Sequence, residues 1–354
     1  MAEPLNAWDF ERLAEGKVEA GGWGYFAGGA GDERTLADNV AAFGRWRLRP
    51  RVLVDVGSVT TRTSLLGREV SMPVLVAPTA FQRLAHPDGD LATARGTAAA
   101  GTIMCLSTLG GASPADLQEA APAGRHWFQL YWSRDRGFTQ ALVEAAAEAS
   151  FEAIVLTVDL PAAGRRERDL RAGFEIPSDL PLPNLSKHLE GGDFHATLGE
   201  VVDPTVTWRD LEWLRSVSSL PLIVKGVLTG EDARLACEHG VDGVVVSNHG
   251  GRQLDGAHAS LDVLPEIVDV VAERCLVLMD GGIRRGTDVV TALALGARAV
   301  LVGRPVLWGL AVDGENGVRR ILELLRGEIE LALRLLGCPT PDDVTPDRVS
   351  RAQA

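Results

Sequence analysis

Tyrosine and lysine are almost missing from this chain. Among 354 residues there are two tyrosines, Tyr25 and Tyr131, and three lysines, Lys17, Lys187 and Lys225, against 32 arginines. Residues this scarce are not filler, so the place of each carries information. Positive charge is short as well: 35 Lys and Arg face 48 Asp and Glu, a net charge of −13 with no basic cluster. Such a chain is a poor nucleic-acid binder and is not drawn to anionic membranes. The four cysteines form no CxxC or Cys/His spacing, which speaks against a zinc site. Cys105 and Cys275 lie in apolar runs and are expected as reduced core thiols of a cytoplasmic protein. No apolar run approaches the ~20 residues of a membrane span. The start, MAEPLNAWDFERLAEG, shows no basic-then-apolar signal segment.

What is present is a rhythm that begins at Pro73. Short runs rich in Val, Ile and Leu alternate with stretches rich in Ala, Leu, Glu and Arg. The runs are Val74–Ala77, Thr102–Leu106, His126–Tyr131, Ala153–Val158, Leu222–Lys225, Gly243–Ser247, Leu276–Asp280 and Ala299–Val302. Continuous apolarity means strands buried on both faces, as in a parallel sheet. Ser113-Pro-Ala-Asp and Thr229-Gly-Glu-Asp are helix starts, with a capping hydroxyl and an acid three residues later. A weak internal repeat joins AAAGTIMCLS, ACEHGVDGVVVS and ALALGARAVLVG, placing Gly101, Gly240 and Gly296 at helix C-termini. Eight strand–helix units over roughly 250 residues predict an α/β fold, a (β/α)8 TIM barrel. The rival, a doubly wound open sheet, normally carries GxGxxG after its first strand, and none follows Val74–Ala77.

Three segments stand outside the repeat within one expected domain of 354 residues. Residues 1–72 read as an N-terminal extension of short helices and a hairpin, Thr61–Met72, placed to close the bottom of a barrel spanning 73–338. Residues 167–206 form a long Pro/Gly-rich excursion after strand four, expected as a lid or a disordered loop. Residues 339–354 read as a C-terminal tail.

In such a barrel the working residues lie at the C-terminal ends of the strands. In order, those ends are Ala77-Pro78-Thr79, Ser107-Thr108, Gln129-Leu130-Tyr131, Thr157-Val158-Asp159, Lys225, Ser247-Asn248-His249, Asp280-Gly281-Gly282 and Gly303-Arg304. DGGIRRG (Asp280–Gly286) and VGRP (Val302–Pro305) follow strands seven and eight, where glycines let backbone N–H groups approach a phosphate and Arg284 or Arg304 can clamp it; turn glycines beside surface arginines are the plainer alternative. Lys225 ends an apolar strand, and burying its ammonium demands an acceptor. Lys17 and Lys187 read as surface residues. Of seven histidines only His249 sits at a catalytic end. His126 is at the opposite end of its strand, His239 at a helix C-terminus, His86 and His258 in loops, and His188 and His195 in the excursion. A base with Arg252 three residues on suits an anionic substrate that must lose a proton. Asp159 can orient a histidine and stabilise its protonated form. Among Arg165, Arg166 and Arg168, one can pair bidentately with a carboxylate. Arg168 and Asp169 read as a solvated charge run.

SNHGGRQLD, with APTAFQRLAHPDGD, FQLYW, LTVD, GRRERD, VKGV, DGGIRRGTDV, GRP and the earlier YFAGGAGDERTLADN, resembles the FMN-dependent 2-hydroxy acid oxidase/dehydrogenase family, which includes glycolate oxidase, lactate oxidase and mandelate dehydrogenase. The match runs from about Tyr25 to Cys338. The resemblance implies His249 as general base, Asp159 as partner of the imidazolium, Arg166 and Arg252 on the substrate carboxylate with Tyr25 beside them, and Tyr131 on the substrate hydroxyl. It implies FMN contacts from Ala77, Thr79, Ser107, Gln129, Thr157, Lys225 and Ser247, with Lys225 at the flavin N1/O2 edge. Asp280 falls on the ribityl chain, and Gly282, Arg284, Gly303 and Arg304 on the phosphate. The carbon-bound hydrogen leaves either as a hydride or as a proton. By family analogy the chain forms a homo-oligomer, a tetramer.

One departure bears on substrate. After Ser107-Thr108, relatives that prefer small substrates often carry Trp; here the chain reads Leu109-Gly110-Gly111. The lost indole opens space beside the substrate side chain and implies an aryl 2-hydroxy acid, mandelate or 4-hydroxymandelate, rather than lactate or glycolate. The short N-terminal extension leaves no room for a haem domain, so O2 is the expected acceptor, giving H2O2; a soluble dehydrogenase using a carrier is the alternative. Two rival classes are an FMN barrel of the isopentenyl diphosphate isomerase kind and a non-catalytic phosphate-binding barrel. The set His249, Arg252 and Arg166 argues against the isomerase, because it is shaped for a carboxylate.

Overall fold

A computed structural model describes residues 3–185 and 202–353. The chain begins with three short helices, α1 (Ala7–Glu15), α2 (Ala20–Ala27) and α3 (Arg34–Ala41), then strand β1 (Trp46–Leu48) and a hairpin of β2 (Thr63–Leu65) and β3 (Arg68–Val70). Eight parallel strands follow and close on themselves: β4 (Val74–Val76), β5 (Ile103–Ser107), β6 (Arg125–Leu130), β7 (Ile154–Thr157), β8 (Leu222–Val227), β9 (Gly243–Val246), β10 (Leu276–Asp280) and β11 (Ala299–Val302). The last strand pairs with the first, Val300 against Val74. Each is followed by a helix, so the fold is the (β/α)8 barrel read from the eight apolar runs. Strand ends move by a residue or two, because pairing partners set where a ladder stops.

Both faces of the strands are buried, and the two faces differ. Leu75, Ile103, Cys105, Trp127, Val155, Ile223, Val245, Leu278 and Leu301 form one cluster inside the barrel. Their neighbours along the strands, such as Val76, Met104, Phe128, Leu156, Val224 and Val246, join the larger cluster shared with the helices. Side chains alternate across a strand, so the interior set is fixed by parity. Leu65 and Val70 of the hairpin belong to that interior cluster and plug the bottom of the barrel. The helix starts follow the local code. Ser113 and Asp116 form a reciprocal capping box, Thr229 accepts from the Asp232 N–H, and Gly101 ends its helix in the left-handed region.

Some expectations need correction. The tail does not simply end: β12 (Val349–Arg351) pairs antiparallel with β1, Trp46 against Arg351. Cys105 is a fully buried thiol, but Cys275 is only half-buried, with its sulfur 3.6 Å from that of Cys237. The described part of the excursion is ordered. Glu167–Arg171 is helical, Ile176 and Leu185 are buried, and the Asn184 amide donates to the Ala112 carbonyl at 2.8 Å. Asp169 is not a solvated charge, since it is 5% exposed, and Arg168 pairs with Glu33 at 2.5 Å. Lys187, His188 and His195 lie outside the described residues. Among the described residues no helix is long and apolar enough to cross a membrane.

Leu65→Ala should cost about 2–5 kcal/mol of stability by opening a cavity under the barrel. Urea unfolding measures this, and a loss below about 1 kcal/mol would show that the hairpin does not close the interior.

Candidate active site

Above the apolar interior each strand contributes one more inward position two residues on. These positions are Ala77, Ser107, Gln129, Thr157, Lys225, Ser247, Asp280 and Gly303. They form a polar or small layer across the C-terminal mouth. All but Ser247 line one cavity, together with Thr79, Leu109, Tyr25, Tyr131, Arg166, His249, Arg252, Gly282, Arg284 and Arg304. Ser247 lies beneath it, fully buried, and Asp159 stands behind His249.

The layer is wired by hydrogen bonds and charge. Lys225, 4% exposed, sits 3.2 Å from Asp280 and donates to the Ser247 hydroxyl at 3.0 Å. Burial works against its positive charge, but Asp280 and Asp159 outweigh burial and raise its pKa. The Gln129 carbonyl oxygen accepts from Ser107 Oγ at 3.2 Å and from the Thr108 N–H at 3.1 Å, which turns its amide nitrogen to the cavity. Thr108 in turn accepts from the Tyr131 N–H at 3.2 Å.

His249 occupies the left-handed region with φ +59°, where a non-glycine residue is uncommon. Its Nδ1 lies 2.8 Å from Asp159 Oδ1. Burial lowers the His249 pKa, Asp159 pulls it back up, and Lys225 lowers it again; the net direction is down. Burial raises the Asp159 pKa, but His249 and Lys225 outweigh burial and hold its carboxyl ionised. With Asp159 ionised, Nδ1 carries the proton and Nε2 is left as an acceptor. Gln253 locks this couple from behind, donating to the Asp159 carbonyl at 2.7 Å and the Ala162 carbonyl at 2.9 Å.

Beside His249 the cavity is rich in cations. The Arg252 guanidinium lies 4.5 Å from the Tyr25 ring centre and donates to the Tyr25 and Gly28 carbonyls. Arg166 is 1% exposed and lies 5.8 Å from the same ring. Burial and the nearby Arg252 push the Arg166 pKa down to about 10. At the far end, Arg284 is held between the indoles of Trp8 and Trp308, at 5.3 Å and 4.8 Å. Arg304 donates to the carbonyls of Phe26, Gly250 and Gly28. Burial, then Arg252 and Arg284, lower the Arg304 pKa well below its ordinary value. The cavity lining carries Arg166, Arg252, Arg284, Arg304 and Lys225 against one carboxylate, Asp280. The cavity is built for anions at two ends, one beside His249 and one at Arg284.

Some site residues went unnamed in the sequence reading. Phe174, from the excursion, stacks on Tyr25 at 4.8 Å, opposite Arg252. Asn39 holds the His249 loop, and Gln253 holds Asp159. Gln253 stands inside the SNHGGRQLD motif and Asn39 at the end of YFAGGAGDERTLADN, so both had a signal. Trp8 and Phe174 had none.

A flavin mononucleotide fits this chemistry. Gln129 Nε2, Asp280 Oδ1 and Arg284 Nε are buried without a protein partner, and buried polar atoms are normally satisfied. An amide donor, a carboxylate acceptor and a guanidinium donor are thus left open along one cavity. Among the described residues there is no cluster of metal ligands. A closed barrel with an arginine-lined mouth and a half-buried His–Asp couple is the arrangement of cofactor-dependent barrel oxidoreductases. The FMN-dependent dehydrogenase family matches residues 14–351, and the chain belongs to it. It is 50% identical to an L-lactate oxidase of Nostoc sp., covering 97% of each chain. It is 47% identical to 2-hydroxyacid oxidase 1 of Homo sapiens, covering 93% of this chain and 92% of that one. Among solved structures, mandelate oxidase with benzoyl-formic acid superposes with a TM-score of 0.91 at 43% identity, covering 99% of both chains. A mandelate oxidase mutant with (S)-mandelic acid gives 0.92 at 42% identity, again covering 99% of both. The chain is an FMN-dependent protein of the 2-hydroxy acid oxidising family.

Arg284→Ala should weaken FMN binding about tenfold or more, since a charge-assisted contact to phosphate contributes roughly 1.5–3 kcal/mol. Quenching of flavin fluorescence during titration of the apoprotein measures this. An unchanged Kd would show that Arg284 does not meet the phosphate.

Proposed function

We propose that this protein oxidises an L-2-hydroxy acid with an aryl side chain, mandelate or 4-hydroxymandelate, to the 2-oxo acid, with O2 reduced to H2O2. The balance is closed: the substrate loses two electrons and two protons, and O2 gains both. The observation that carries this reading is the half-buried His249–Asp159 couple, whose His249 faces the same cavity as Arg166, Arg252 and Tyr25. Bound FMN supplies the two-electron acceptor.

The residues then divide the work. Arg166 and Arg252 hold the carboxylate, and the Tyr25 hydroxyl adds a hydrogen bond. Tyr131 bonds to the substrate hydroxyl. His249 takes the proton at Nε2, while Asp159 accepts the bond from Nδ1 and stabilises the imidazolium. Lys225 would face the N1/O2 edge of the flavin. Ala77, Thr79, Ser107, Gln129 and Thr157 would hold the ring, with Ser247 supporting Lys225 from beneath; Asp280 would take the ribityl chain, and Gly282, Arg284, Gly303 and Arg304 the phosphate.

Two observations support the aryl substrate. Leu109, with Gly110 and Gly111 after it, borders the cavity where a Trp would fill the space. The mandelate oxidase structures also resemble this chain over nearly its whole length. A second reading, a small aliphatic substrate, is favoured by the 50% identity to an L-lactate oxidase. A panel of mandelate, 4-hydroxymandelate, lactate and glycolate, followed by oxygen uptake and peroxide formation, separates the two. The aryl reading predicts the highest kcat/KM for an aryl acid, and a higher value for lactate or glycolate would contradict it. Reduced enzyme that stays reduced for minutes in air would assign the electrons to another carrier. Leu109→Trp should cut kcat/KM for mandelate about tenfold or more while sparing glycolate; equal losses would place Leu109 away from the substrate side chain.

The pKa directions set the pH dependence. Burial lowers the His249 pKa from 6.5, so the neutral base persists below pH 6.5 and flavin reduction falls only at lower pH. Asp159→Asn removes the group that raises this pKa, so the acid limb should move to still lower pH and the maximal rate should fall. An acid limb that moves upward would reverse the assigned coupling.

A further inference from the structure

Asn39 lies on α3, far from β9 in sequence, and its side chain is buried. It faces Asn248, the residue before His249. Asn39 Nδ2 donates to Asn248 Oδ1 at 2.8 Å, and Asn248 Nδ2 donates to Asn39 Oδ1 at 2.8 Å. Three further bonds engage the two amides. Asn248 Oδ1 accepts from the Gly251 N–H at 3.0 Å, Asn248 Nδ2 donates to the His258 carbonyl at 2.9 Å, and Asn39 Oδ1 accepts from the Ser260 N–H at 3.3 Å. One amide pair therefore pins the loop on both sides of His249.

That loop needs pinning. His249 is left-handed at φ +59°, and Gly250 and Gly251 follow at +64° and +77°. A non-glycine residue stays in this region only where its surroundings over-determine it. The main chain of Asn39 also packs against the turn after β10. A Cβ on Gly282 would fall 2.0 Å from the Asn39 carbonyl oxygen, and one on Gly281 would fall 3.3 Å from the Asn39 amide carbon. The base loop and the cofactor loop thus lean on the same residue.

We propose that Asn39 is a positioning residue for the reaction: through its reciprocal amide pair with Asn248 it fixes the left-handed turn at His249 and aims the imidazole at the substrate. This rests on the reading of His249 as the base. Arg252 is tied separately, to the Tyr25 and Gly28 carbonyls, so carboxylate binding does not depend on the pair.

The test uses FMN-loaded Asn39→Ala and the isosteric Asn39→Asp, which cannot donate to Asn248. Anaerobic stopped-flow should show flavin reduction at saturating mandelate slowed about tenfold or more, because a displacement near 1 Å is enough to cost such factors. The half-saturating mandelate concentration should change less than about threefold. An unchanged reduction rate with only a lower Tm would overturn the proposal. So would equal losses in rate and half-saturation, release of the flavin, or failure of both variants to fold, since each assigns the pair to structure alone. Wild type and His249→Ala run alongside. If wild type is not reduced by any 2-hydroxy acid, the proposed function fails, and nitrogen NMR of the His249 ring then decides the positioning role. Ring resonances that move in the Asn39 variants support it, and resonances that stay in place overturn it.

Discussion

Every strand of a parallel barrel turns alternate side chains inward, and that period of two decides where chemistry can sit. In this chain the inward positions are apolar up to the last turn of the barrel and become polar or glycine one step later. The change happens on nearly all the strands at the same height. It yields a dry floor of Leu, Ile, Val and Trp under a layer carrying Ser107, Gln129, Thr157, Lys225, Ser247 and Asp280. The floor excludes water, so the charges above it interact strongly. This is why Lys225 keeps its proton while buried, beside Asp280 and Asp159; at His249 the burial itself outweighs the pull of Asp159 and lowers the pKa.

The second constraint is a surplus of cations at the mouth. Arg166, Arg252, Arg284, Arg304 and Lys225 line the cavity against one carboxylate, Asp280; burial lowers the Arg166 and Arg304 pKa, and Arg252 adds to both shifts. In the proposed reading anions settle that surplus, a phosphate at one end and a carboxylate at the other. The scarce residues acquire their meaning here. Both tyrosines line the cavity, and one lysine of three stands in its polar layer.

Much of this was legible in the sequence because it is local. Buried strands announce themselves by continuous apolar runs, and the barrel rule converts their ends into site positions. The glycines of DGGIRRG and the SNHGGRQLD motif are contiguous and therefore visible. What stayed hidden is long-range. Asn39 and Asn248 are 209 positions apart, and no local pattern announces their pairing. β1 and β12 are three residues each and lie near opposite ends of the chain, too short to show alternation. Asp169 looked solvated because its neighbours are charged, but its burial is set by the packing of the excursion against the N-terminal helices. Phe174 on Tyr25 has the same origin.

The most direct measurement compares anaerobic flavin bleaching by mandelate and by benzyl alcohol, which lacks the carboxylate. The two-anion account predicts rapid bleaching by mandelate and none by the alcohol at the same concentration. Equal bleaching by both would contradict it, because Arg166 and Arg252 would then have no part in delivering the substrate to His249.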